Sequence, residues 1–155
     1  GIITGDTEDS SGSERYEGYA EALADRDIAL DPKYVARGGW SVDGGHNALA
    51  HLMALDQPPT AVFTSSYPMG IGALGWLREQ GKRVPDDLSL LSFDDVPLFR
   101  LHEAGITAIA QPVAKIADSI TSALVARLES PDDERPRTVT LDCDIILRGS
   151  TRRLT

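Results

Sequence analysis

The sequence has one cysteine among 155 residues, Cys143, so no disulfide can close within the chain and no cysteine cluster can hold a metal. That usage is compatible with a reducing compartment. No apolar run approaches the ~20 residues that span a bilayer. The opening Gly1-Ile2-Ile3-Thr4-Gly5 lacks the length and the basic flank of a signal peptide. Positive charge is scarce. Fifteen Lys and Arg face 24 Asp and Glu, a formal net charge of -9, so the chain is not expected to grip DNA by itself.

Catalytic and metal motifs are missing too. His46 and His51 are five apart, which breaks the i, i+4 metal spacing, and His102 stands alone. Gly70-Ile71-Gly72 lacks a third glycine and does not follow the first strand, so it reads as a helix-packing device and not a phosphate loop. No Gly-x-Ser-x-Gly elbow occurs. Asp94 and Asp95 are neighbours and would face opposite sides of a strand, so they do not form an acid dyad. The chain is expected to be neither an enzyme nor a carrier of a cofactor or metal.

What is present is a globular mixture, 41% hydrophobic and 25% charged, of a length that suits one domain. Apolar runs and helical periodicities alternate. Strands are expected near Ile2–Thr4, Tyr34–Ala36, Ala61–Thr64, Leu88–Phe93 and Thr107–Ala110. Helices are expected from about Ser13 to Asp25 with a serine cap, around Ala48–Leu55, from Met69 to Gln80, and briefly over Leu98–Glu103. Pro112 then opens a long helix with Val113, Ile116, Ile120, Leu124 and Leu128 on one face. A charged loop (Ser130 to Pro136) leads to a strand over Thr138–Leu147, and Arg148–Thr155 reads as a polar, basic tail. Near-continuous apolar strands alternating with helices predict an α/β fold with a doubly wound parallel sheet.

Ligands of such sheets bind beyond the carboxyl ends of the strands. The polar residues there are Asp6, Trp40, Ser65, Ser66, Asp94, Asp95 and Gln111. Arg15 could present a fork of donors to hydroxyls or a carboxylate, or pair with the acids around it. Asp94 could accept two hydroxyl hydrogen bonds, or cap the next helix. Trp40 could stack on a ring, or sit at the edge of the core. The set suits a small polar molecule.

Eight short words in order carry a resemblance across almost the whole chain. They run from Arg15-x-x-Gly18-Tyr19-x-x-Ala22-Leu23 through Gly39-Trp40-Ser41, Pro58-Pro59-Thr60-Ala61-Val62-Phe63 and Met69-Gly70-Ile71-Gly72-Ala73-Leu74. They continue with Val84-Pro85-Asp86-Asp87-Leu88-Ser89, Ser92-Phe93-Asp94-Asp95, Ile109-Ala110-Gln111-Pro112 and Arg148-Gly149-Ser150-Thr151. The sequence resembles the C-terminal half of the effector-binding core of LacI/GalR-family transcription regulators. The resemblance implies a type I periplasmic-binding-protein-like core of two α/β subdomains with the effector between them. Residues 1–110 would form the C-terminal subdomain. Residues 111–147 would be a crossover helix and strand belonging partly to the N-terminal subdomain, and residues 148–155 a tail. The helix-turn-helix DNA-binding domain would lie outside this chain.

The resemblance carries the effector contacts onto Arg15, Trp40 and Asp94. Ser66 is a secondary contact, standing with Tyr67 where the family has Asn-Asp, and Gln111 lies near the crossover. It implies a cytoplasmic homodimer, no membrane contact, a sugar or related effector, and DNA binding through the absent domain only. Met69, Ala73, Trp76, Leu77 and Gln80, with Val96, Leu98, Phe99 and Leu101, are the expected dimer surface. The competing expectation is a periplasmic sugar-binding protein of a transport system.

Overall fold

In the computed structural model, which describes residues 1–130 and 138–153, five short apolar runs pair side by side as parallel strands. These are β1 (Ile2–Thr4), β2 (Val35–Arg37), β3 (Ala61–Thr64), β4 (Ser89–Phe93) and β5 (Thr107–Ala110). A sixth, β6 (Asp144–Ile146), runs antiparallel to β5, pairing Ile109 with Ile145. The sheet order is β2-β1-β3-β4-β5-β6. The parallel-dominated α/β sheet is the expected architecture, with one antiparallel edge added.

The connecting helices are α1 (Ser10–Ala24), α2 (Val42–Met53), α3 (Tyr67–Glu79), α4 (Pro97–Leu101) and α5 (Val113–Glu129). Helices α2 and α3 cover one sheet face. Strand residues alternate between faces, and Ile3, Val62, Leu90 and Ala108 meet Leu49, Leu52, Met69, Ala73, Leu77 and Phe99 in one buried cluster there. The two helices touch backbone to backbone. A Cβ on Gly45 would strike the Met69 carbonyl and one on Gly72 that of Val42, so the glycines do serve packing. Between these helices His46 Nε2 lies 2.8 Å from Glu79 Oε2, a surface ion pair that raises the histidine's pKa. The other face carries α1. Phe63, Leu91, Phe93 and Ile109 point there, beside Arg15 and Tyr19 in an open groove of about 880 Å³.

Several expectations are corrected. Helix α1 starts at Ser10, and Asp9, not a serine, caps it by accepting from Gly12 N at 2.6 Å. Tyr34 closes a 3-10 turn (Pro32–Tyr34) and β2 begins one residue later. The strand expected over Thr138–Leu147 shortens to Asp144–Ile146. Val139, Ile145 and Leu147 along the expected span are exposed, with Val139 and Leu141 beside Ile116 and Ile120 of α5. The charged loop falls largely on residues 131–137, outside the described residues.

The polar tail is no loose end. Ser150 is fully buried, donates to Leu90 O at 2.6 Å and accepts from Thr107 N at 2.8 Å. The expected dimer surface also changes. Met69, Ala73, Leu77 and Phe99 belong to the interior, while Leu98 and Leu101 remain exposed. A period-3.6 pattern marks the buried face of a helix whether the partner is a sheet or a second chain.

Candidate functional site

The Asp9 cap fixes the start of α1 and so places Arg15 over the carboxyl end of the sheet. The Arg15 Nη1 group donates to Ser65 O at 2.7 Å. Its guanidinium carbon stands 3.7 Å from the centre of the Phe93 ring and 5.6 Å from that of Trp40. Among the described residues its partners are a carbonyl and two rings, not a carboxylate. Guanidinium planes stack well on aromatic faces, and stacking leaves edge donors available.

Trp40 follows β2 through Gly38 and Gly39 with φ of 59°. This left-handed conformation is unusual outside glycine and costs of order 1–3 kcal/mol. The turn lays the indole against Gly5, where a Cβ would collide with the ring. The indole Nε1 donates to Asp9 Oδ2 at 2.9 Å. Trp40 is half-buried and packs on the edge of the core, as one of the two expectations for it had it, and part of the ring stays open.

Asp94 follows β4 and is also left-handed, with φ of 69°. Its backbone N donates to Ile109 O at 2.9 Å, and its Oδ1 accepts from Gln111 Nε2 at 2.6 Å. It does not cap α4, whose N-cap is Val96 without a side-chain bond. Strained backbone at two such positions is held by its surroundings and is characteristic of binding sites. Ser66 caps α3 by position alone. It is 5% exposed, and its hydroxyl has no partner among the described residues.

The structure thus groups Arg15 with Trp40 and joins them through Phe93 to Asp94 and Gln111. Phe93 was read as a strand residue and Asp9 was not singled out; both are part of the arrangement. Asp95 has other partners than its neighbour Asp94, but both residues lie beyond β4 and Asp94 is left-handed, so the expected alternation across a strand is not what separates them. Arg148 Nη2 donates to Asp95 Oδ2 at 2.9 Å, Arg148 Nη1 stands 2.8 Å from its Oδ1, and Arg100 donates to Oδ2 at 2.9 Å. Arg148, and then Arg100, hold the Asp95 carboxyl below the usual range against the opposing effect of burial. Among the described residues no group of acids, histidines and cysteine is arranged to hold a metal.

An open, parallel-dominated α/β sheet with polar and aromatic residues gathered at the carboxyl ends of its strands is the architecture of a lobe of the periplasmic-binding-protein type. The match to known proteins agrees. The periplasmic binding protein-like domain family matches residues 1–151, and the chain belongs to it, in the branch formed by the effector cores of LacI/GalR-type regulators. It is 38% identical over 154 residues to the HTH-type transcriptional repressor CytR of Escherichia coli (strain K12), covering 99% of this chain and 45% of that protein. It is 34% identical over 150 residues to the ribose operon repressor of Haemophilus influenzae, covering 97% and 45%. A solved transcriptional regulator CelR–cellobiose complex superposes with a TM-score of 0.88 at 30% identity, over 96% of this chain and 45% of that one. The chain therefore spans less than half the length of the curated relatives it matches. By their names these relatives are repressors and regulators, none of them a transport protein.

Proposed function

We propose that this chain is the effector-binding lobe of a transcription regulator and takes a small polar metabolite, a sugar or a sugar-containing one, at the carboxyl edge of its sheet. Arg15 donates to hydroxyls, Asp94 accepts from them, and Trp40 offers ring carbon to the ligand's C–H face. Gln111 orients Asp94, and Ser66 is a contact only for a group that reaches the cleft floor. The reading rests on Arg15, which stands inside α1 with its guanidinium on the Phe93 ring and near the Trp40 ring, and on Asp94 following Phe93 directly in the chain. The relatives named for ribose and complexed with cellobiose support a sugar.

In this reading residues 1–110 are one lobe and residues 111–147 cross partly to a second lobe that closes over the effector. Helix α5 supports the crossover. Val113, Ile120, Leu124 and Leu128 are each more than half exposed, so an amphipathic helix lies without the layer its pattern calls for. The tail from Arg148 is docked on the first lobe. The regulator acts in the cytoplasm as a homodimer, with Leu98 and Leu101 contributing to the dimer surface, and reaches DNA through a domain outside this chain. No described helix is long and apolar enough to cross a membrane.

Thermal shift of the full-length protein against pentoses, hexoses, disaccharides and nucleosides tests the proposal, because a ligand of the native state raises its apparent stability. One class should raise Tm in the wild type and fail to do so after Arg15→Ala. A ligand that stabilises both equally would contradict it.

A further inference from the structure

We infer that Asp9 is a positioning residue for the effector cleft, setting the orientation of Trp40 and withdrawing its indole N–H from ligand recognition. The inference rests on the reading of Trp40 as an effector contact. It stands on geometry outside the residues that touch a ligand.

One carboxylate holds two elements at once. Its Oδ1 accepts from Gly12 N at 2.6 Å and starts α1, the helix that carries Arg15. Its Oδ2 accepts from the Trp40 indole at 2.9 Å and reaches the loop after β2, 31 residues on. The indole meets a second constraint on Gly5, whose missing side chain makes room for it. With the ring against backbone and its N–H engaged, the left-handed turn at Trp40 is held in place and the single polar atom of the indole is unavailable. What a ligand meets there is carbon. The cleft therefore discriminates by hydroxyl pattern at Arg15 and Asp94 and by apolar ring surface at Trp40.

A helix cap alone does not need this arrangement. Asparagine caps as well as aspartate, yet with its oxygen on Gly12 N it turns an amide donor toward the indole donor. Asp9→Asn thus separates the two roles, and Asp9→Ala removes both. This chain has two tryptophans; Trp76→Phe removes one of them, and the Trp40 signals in fluorescence and 15N-indole NMR are assigned by their loss in Trp40→Phe.

In that background Asp9→Asn should leave Tm almost unchanged, move the Trp40 indole proton resonance upfield and raise its quenching by acrylamide. Asp9→Ala should show the same changes and lower Tm by about 2–4 °C. A Trp40 resonance and quenching that are identical in Asp9→Asn and its parent would overturn the inference and leave Asp9 a cap only. These readouts need no ligand. Failure of the effector reading would instead appear as the absence of any stabilising metabolite for the wild type.

Discussion

The Arg15 guanidinium lies 3.7 Å from the centre of the Phe93 ring, and Phe93 directly precedes Asp94. One aromatic side chain thus supports the cation of the cleft while its own strand delivers the anion. Phe93→Leu keeps apolar bulk but removes the π face. A partly exposed contact of this kind contributes about 0.5–1 kcal/mol, so effector affinity should fall roughly two- to fivefold, read by isothermal titration calorimetry. An unchanged affinity would mean that the Ser65 carbonyl alone orients Arg15.

Gly5 has no space for a side chain under Trp40. Gly5→Ala should force the indole outward at a cost of about 1–3 kcal/mol, the usual range for overpacking. Urea unfolding measures the loss, and Trp40 fluorescence should shift to the red. A variant as stable as the wild type would show that Trp40 moves freely.

Asp95 should make stability acid-sensitive. Its folded pKa lies below the unfolded value of about 3.9, so its contribution is present above that pH and is lost as pH falls through the folded value. The stability gap between wild type and Asp95→Asn should therefore be widest near neutrality and close as pH drops below about 4. Denaturation midpoints across pH measure this. A gap independent of pH would assign the effect of the substitution to shape and not to charge.

Ser150 exchanges hydrogen bonds with both β4 and β5 from a fully buried position. Ser150→Ala strands the Leu90 carbonyl and the Thr107 amide, each costing about 1–3 kcal/mol when left unsatisfied. Ser150→Thr keeps the hydroxyl but adds a methyl group, so its cost is steric. Thermal unfolding that places Ala above Thr would contradict the hydrogen-bond account.

The sheet was legible because its strands are apolar runs and its helices show period 3.6, two signals that local sequence carries directly. Trp40, Asp94 and Gln111 were legible as residues that follow strands. Phe93 was not, because an aromatic residue in an apolar strand reads as core, and only the side facing α1 shows its use. Asp9 was hidden among serines that cap equally well. The docked tail was hidden because buried polar residues look like loop residues until their partners are known. The dimer surface was misread at Met69, Ala73, Leu77 and Phe99 since periodicity reports a buried face and not what buries it. The strand over Thr138–Leu147 was overextended because alternation persists beyond the three residues that find a partner.

The central claim is that Arg15 and Asp94 recognise the effector together. Calorimetric titration of the full-length protein with whichever metabolite raises its Tm tests this most directly, comparing wild type, Arg15→Ala and Asp94→Asn. Loss of one partner from a charge-assisted hydrogen bond costs about 1.5–3 kcal/mol, so each substitution should weaken binding roughly ten- to a hundredfold while operator binding persists. Dissociation constants unchanged in both variants would contradict the account.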